Sequence, residues 1–181
     1  FERDALLDLA NRMMLVVDEA YADIDPQRSV ADAALDGLVV LRSFGKFFGL
    51  PGLRLGFVIA APAIARRLRH LLGDWPISAP AIATGRLAYA DQAWAAAQRG
   101  RLAEMGEKLD RALAAAGIAI VGRTPFFRLI EVADAHDLFR HLATRCILTR
   151  PFAETRSRLR IGLPADDAQL ARLADVMKEC S

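Results

Sequence analysis

The chain has 181 residues, 54% of them apolar, which is enough to bury one substantial core or two small ones and excludes global disorder. Its 24 basic residues against 22 acidic ones leave a formal charge of +2, and their dispersal indicates neither a nucleic-acid groove nor a polybasic membrane patch. Cys146 and Cys180 form neither a disulfide framework nor a metal-ligand spacing, and this usage suits a reducing cytoplasm.

In chain order, Phe1 leads into an amphipathic helix with Ala5, Leu6, Leu9 and Ala10 on one side and Asp4, Asp8 and Arg12 on another, an opening that reads as the middle of something longer. There is no signal-peptide layout, and no apolar run approaches the length of a membrane span. The run Met13 to Val17 is predicted as a buried strand of a parallel sheet. Asp18 and Tyr21 then fall just past its carboxyl end, where α/β sheets gather functional side chains. Residues 23 to 36 are polar and irregular, with a short alanine-rich helix expected over Val30 to Leu35. Leu38 to Leu41 is a second buried strand and Arg54 to Ala61 a third.

Between these two strands lies a glycine-rich loop with Ser43, Lys46 and, eight residues on, Arg54. Lys46 sits in sequence among Phe44, Phe47, Phe48, Leu50 and Leu53. A lysine desolvated by such neighbours would lose its charge readily and attack carbonyls; the alternative is a snorkelling lysine with its head in water.

Pro62 to Leu72 is predicted helical, with arginines 66, 67 and 69 toward its C-terminal half. After the proline-punctuated connector Trp75 to Pro80, a long helical region runs to about Ala116 and breaks near Asp91 or Gly100. Strands are predicted over Ile118 to Val121, Phe126 to Val132, Ile147 to Thr149 and Arg158 to Gly162. Helices follow at Asp134 to Thr144, with Asp134 as N-cap, and at Ala165 to Lys178. The pattern divides into residues 1–95, with buried strands, and residues 96–181, a small α+β layer, joined by the helix over about 80–116. His70, His136 and His141 read as surface histidines, and Trp75 and Trp94 as core or seam residues.

Four elements carry a resemblance: Asp18-x-x-Tyr21, Ser43-x-x-Lys46, Arg54 within GLPGLRLGF, and LRIGL around Arg160. Together they resemble the pyridoxal-phosphate-dependent aminotransferases of classes I and II, fold type I, over essentially the whole chain. The nearest branch holds threonine-phosphate decarboxylases of cobalamin biosynthesis, which SFGKFFGLPGLRLGF resembles more, and histidinol-phosphate aminotransferases. The fold this implies is α/β: the C-terminal part of a large domain with a mainly parallel sheet, followed by a small α+β domain.

The resemblance implies pyridoxal 5′-phosphate as cofactor, with Lys46 forming the internal aldimine and moving protons at the substrate Cα and cofactor C4′. Asp18 would pair with the pyridine nitrogen and Tyr21 with the 3′ oxygen. Ser43 and Arg54 would hold the phosphate. Gly45 stands where the family often has a hydroxyl residue, which removes one phosphate ligand. Arg160 resembles the arginine that binds the substrate α-carboxylate, with its register blurred by Arg156 and Arg158, and Arg150 is a weaker candidate for a substrate phosphate or carboxylate.

The substrate would be a small amino acid or amino-acid phosphate. Decarboxylation of L-threonine O-3-phosphate is the first expectation, histidinol-phosphate-type transamination the second, and a non-catalytic fragment the third. A homodimer in the cytoplasm, with no nucleic-acid or membrane partner, is the implied setting. The family's glycine-rich phosphate loop, stacking aromatic and asparagine lie upstream of the aspartate and are not in this sequence, so the chain corresponds to a C-terminal half. Alone it is expected to bind the cofactor weakly or not at all.

Overall fold

The computed structural model describes residues 1–179, so Cys180 lies outside the described residues. The chain divides into two units, Phe1–Gln92 and a second beginning at Ala93.

In the first unit, helix α1 (Arg3–Arg12) leads to strand β1 (Leu15–Asp18), two 3₁₀ turns (Ala22–Ile24 and Pro26–Arg28), and strand β2 (Leu38–Ser43). A further 3₁₀ turn (Pro51–Leu53) precedes β3 (Gly56–Ala60), and helices α2 (Pro62–Leu72) and α3 (Ala79–Ala90) complete the unit. The sheet order is β1-β2-β3, with β1 and β2 parallel and β2 and β3 antiparallel. The sheet is therefore mixed, because only an antiparallel return lets the short 44–55 loop join β2 to β3 directly.

Ala10, Val30, Leu38 and Val40 form a small core against which Leu6, Leu7, Leu15 and Val17 pack. Gly37 lets α1 approach the start of β2, since a Cβ there would stand 2.6 Å from the carbonyl oxygen of Ala10. The helix expected over Val30 to Leu35 does not form: the segment is turn and extended chain. Val30 faces the core, and Ser29 and the Val30 N–H are engaged by Glu19 instead of a helical ladder. Met13 and Met14 stay exposed ahead of β1. Trp75, expected in a core or seam, is 94% exposed on a left-handed backbone (φ 59°).

The second unit takes most of helix α4 (Gln92–Ala115), then β4 (Ala119–Arg123), β5 (Phe127–Glu131), α5 (Ala135–Thr144), β6 (Arg150–Phe152), β7 (Thr155–Gly162) and α6 (Asp167–Lys178). Its four strands run in the order β4-β5-β7-β6, antiparallel throughout. Leu109 and Leu113 of α4, Ile130, Leu159 and Ile161 of the sheet, and Leu138, Leu142 and Met177 of the covering helices form its core. The break before α4 falls at Asp91.

Asp134 caps α5, accepting from the N–H groups of His136 and Asp137 at 2.9 and 3.0 Å. The strand expected over Ile147 to Thr149 is displaced to Arg150–Phe152. The reason lies in the end of α5: the Cys146 N–H reaches Ala143 O and the Ile147 N–H reaches Leu142 O, with Cys146 left-handed at φ 56°. That closing turn uses the residues a strand would need and leaves Cys146 exposed.

Candidate active site

Parallel pairing puts the carboxyl ends of β1 and β2 side by side, and the antiparallel β3 brings its amino end to the same place. Asp18 is in register with Leu41, and Ser43 with Gly56. Side chains alternate across a sheet, so Asp18 and Ser43 project from one face while Glu19 and Arg42 turn to the other.

Asp18 is exposed, and its Oδ1 accepts from the Ala20 N–H at 2.9 Å, which fixes the carboxylate and leaves Oδ2 open. Ser43 Oγ accepts from the Gly45 N–H at 3.3 Å, which leaves its own proton available as a donor. Lys46 Nζ lies 5.6 Å from the centre of the Tyr21 ring, a cation–π approach that ties the β1 turn to the lysine loop.

Lys46 is exposed, whereas its neighbours Phe44, Phe47 and Phe48 are 0%, 2% and 9% exposed. Of the two readings, a desolvated amine and a snorkelling lysine with its head in water, the exposure fits the second. The loop turns its phenylalanines inward and its lysine outward.

Arg54 occupies a left-handed conformation (φ 51°, ψ 36°) at the end of the 3₁₀ turn. A non-glycine residue there carries backbone strain of the kind that collects at functional loops. Arg54 is exposed and, among the described residues, donates to Pro51 O of its own turn, at 3.3 Å. A Cβ at Gly45 would stand 3.3 Å from Pro51, so a hydroxyl residue at this position would require Pro51 to give by a small amount.

Arg160 and Arg150 belong to the second unit. The three arginines of β7 share one face, and their partners separate them. Arg156 reaches Asp134 at 2.6 Å and Arg158 reaches Glu131 at 3.5 Å. Arg160 lies over the Phe127 ring, 4.8 Å from its centre, with no acidic partner among the described residues. Arg150 stands directly opposite Arg160 in the ladder, also without one. Like charges across a strand pair repel unless an anion neutralises them.

A cleft of about 820 Å³ in this unit lies elsewhere, lined by Glu131, Asp134, Asp137, His141 and Glu179 among others. It holds none of the lysine-loop chemistry. His136 Nε2 is engaged by Phe152 O at 3.0 Å and His141 Nδ1 by Arg145 Nη1 at 3.2 Å.

Two features under the first unit's site were not legible as functional signals. Tyr89 of α3 packs edge-on against Phe44, Phe48 and Phe57, with ring centres 5.3, 5.1 and 5.4 Å away. Burial, and then the nearby charge of Asp23, push its hydroxyl up to about 12. Beside it Arg42, 12% exposed, donates to Asp23 Oδ1 at 2.9 Å and Ser29 Oγ at 2.8 Å. Its Nε lies 3.0 Å from Glu19 Oε2, close enough for ionic attraction but not aligned as a hydrogen bond. Their signal in the sequence is weak: a tyrosine in an alanine-rich helix and an arginine ending an apolar strand.

An α/β unit with a lysine, a serine, an aspartate and a tyrosine at the carboxyl ends of adjoining parallel strands, followed by a small antiparallel α+β unit, is the arrangement that the resemblance to fold type I pyridoxal-phosphate-dependent enzymes implies. The family profile for aminotransferase class I and II matches residues 2–177, and the chain belongs to that family, whose members use pyridoxal 5′-phosphate. It is 42% identical over 166 residues to a threonine-phosphate decarboxylase of a Sinorhizobium species, covering 91% of this chain and 49% of that protein. A histidinol-phosphate aminotransferase of Mycobacterium bovis is 33% identical, with 82% of this chain and 42% of that protein covered.

The crystal structure of a histidinol-phosphate aminotransferase from Sinorhizobium meliloti, in complex with pyridoxal-5′-phosphate, superposes with a TM-score of 0.82 at 20% identity. It covers 100% of this chain and 54% of that one. The chain thus spans about half the length of the curated relatives it matches.

Proposed function

We propose that this chain carries the lysine and part of the cofactor grip of a pyridoxal-phosphate-dependent enzyme that decarboxylates L-threonine O-3-phosphate in cobalamin biosynthesis. The observation that carries the cofactor reading is the meeting of Asp18, Tyr21, Ser43 and Lys46 at one end of β1 and β2, and the 42% identical threonine-phosphate decarboxylase supports the choice of substrate.

The donor set fits the cofactor. An exposed guanidinium and an available hydroxyl proton suit a phosphate, an open carboxylate oxygen suits a protonated ring nitrogen, and an exposed primary amine suits an aldehyde. When bound, the cofactor supplies an electron sink for the bond broken at the substrate Cα. Lys46 would hold it through its amine and would carry the proton delivered at the substrate Cα. Asp18 Oδ2 would accept from the ring N–H, Tyr21 would donate its hydroxyl proton to the 3′ oxygen, and Ser43 Oγ and the Arg54 fork would donate to phosphate oxygens.

Arg160 binds the substrate α-carboxylate. Arg150, across the strand, meets the second anionic group that an amino-acid phosphate brings, and the two unpaired arginines in register support an anionic ligand of this kind. The complete protein acts as a homodimer in the cytoplasm. Among the described residues no helix is long and apolar enough to cross a membrane.

Borohydride reduction in the presence of pyridoxal phosphate is expected to leave a pyridoxyl label on the Lys46 peptide of the longest protein that includes this chain, absent in Lys46→Ala. An unlabelled Lys46 in that protein rejects the reading. Carbon dioxide release from L-threonine O-3-phosphate without added keto acid identifies the decarboxylase. Exchange that requires 2-oxoglutarate identifies instead a histidinol-phosphate-type aminotransferase, the second reading, which the 33% identical relative supports. Absence of both activities from a labelled protein leaves a non-catalytic relative.

A further inference from the structure

Arg42 and Ser43 are consecutive on β2, so their side chains leave the sheet on opposite faces. Ser43 belongs to the candidate site. Arg42 reaches under it to three side chains that follow β1 in sequence: Glu19, Asp23 and Ser29, which are 6%, 8% and 7% exposed. Glu19 directly follows Asp18, and Asp23 lies two residues beyond Tyr21.

The grip is closed on itself. Ser29 Oγ donates to Glu19 Oε2 at 2.7 Å, Glu19 Oε1 accepts from the Val30 N–H at 2.6 Å, and the Glu19 N–H reaches Leu41 O at 2.8 Å. One guanidinium thus faces two buried carboxylates, and only a planar multi-donor head can serve both while also reaching the Ser29 hydroxyl. Burial of such a set is costly when any member is missing, so its geometry is narrowly held.

We propose that Arg42 is a positioning residue for the cofactor site: by gripping Glu19, Asp23 and Ser29 beneath the sheet, it sets where Asp18 and Tyr21 stand relative to Ser43 and Lys46. The inference rests on the pyridoxal-phosphate reading above. Asp18 and Tyr21 sit on a turn whose intervening and following residues are held from below, while Ser43 shares its backbone with the residue that does the holding. Without the guanidinium the turn keeps its own Asp18–Ala20 bond and the Glu19 backbone bond to Leu41, but loses the side-chain tie that Arg42 makes from β2.

The test compares Arg42→Lys with the unaltered protein, both loaded with pyridoxal phosphate in the longest form that carries this chain. Lysine keeps the balancing charge and cannot hold three partners at once. The variant is expected to take the borohydride-fixed label at Lys46, while the pH midpoint of the bound cofactor's absorbance moves by about half a unit or more, because the groups facing the ring have shifted. Asp23→Asn, which weakens the grip while removing the surplus negative charge, is expected to move the midpoint as well and supplies the readout should Arg42→Lys fail to fold. A midpoint equal to that of the unaltered protein, with only the melting temperature lowered, overturns the proposal by showing Arg42 to be structural. Failure of the unaltered protein itself to take label is a different outcome and rejects the cofactor reading.

Discussion

Arg54 combines a positive φ with an exposed guanidinium whose hydrogen bond among the described residues goes to a carbonyl of its own turn. That backbone points the side chain, and an arginine fork fits phosphate better than a point charge does. Arg54→Lys is therefore expected to weaken binding of pyridoxal phosphate about tenfold or more, the range for a charge-assisted hydrogen bond, while leaving binding of unphosphorylated pyridoxal unchanged. Equilibrium titration of both ligands checks it; an equal loss for both would show that Arg54 does not face the phosphate. Lys46 teaches a related lesson. Its apolar sequence neighbours left a buried amine and a snorkelling one both open, and those side chains stack on one another and on Tyr89, with Phe44 and Phe48 4.4 Å apart, and leave the lysine at the surface.

At the scale of elements, buried or capped ion pairs hold the second unit's helices to its sheet. Arg128 of β5, 7% exposed, donates to Asp110 of α4 and to Thr124 O at 2.6 Å, and a Cβ at Gly106 of α4 would stand 2.5 Å from its Nη2. Burial pushes Asp110 up, but the hydrogen bonds from Arg128 and Arg123 outweigh it and hold its carboxyl below the usual range. Gly106→Ala must displace an arginine that is held at both ends, and a loss of about 1–3 kcal/mol in denaturant unfolding is expected.

Helix α5 offers a pH test. The Arg156 side chain, and next the backbone N–H of Asp137, hold the capping Asp134 down to about 2. Its folded value lies below the unfolded one, so its contribution is complete above about pH 4 and is lost as pH falls toward 2. Asp134→Asn is expected to flatten the acid branch of the stability curve in that window, followed by circular dichroism. An unchanged acid branch would remove Asp134 from the linkage.

At the scale of the whole molecule, the first unit's sheet has three strands, and several of its apolar side chains remain open to solvent: Val16 is 58% exposed, Val58 46% and Ile59 41%. Apolar area of this kind on edge strands drives association. The 181-residue chain is expected to show concentration-dependent sedimentation, reduced by Val58→Thr together with Ile59→Thr; a single ideal species at all concentrations would contradict this.

The placement of the candidate residues was legible in sequence because each follows an apolar run at a short spacing, Asp18 and Tyr21 after one and Ser43 and Lys46 after the next, and parallel pairing brings those two strand ends together. Apolar periodicity likewise determined α1, α2, α5 and α6 to within a few residues, and a capping aspartate announced α5. Tertiary structure alone decided that β3 runs antiparallel, that the Val30 to Leu35 segment gives up a helix to the Glu19 carboxylate, and that Lys46 faces solvent. It also decided that of three neighbouring arginines only Arg160 is left without an acid. The physical reason is common to these cases. Periodicity and spacing report which residues share a face, whereas register, burial and the choice of ionic partner depend on groups distant in the chain that meet only once it has folded.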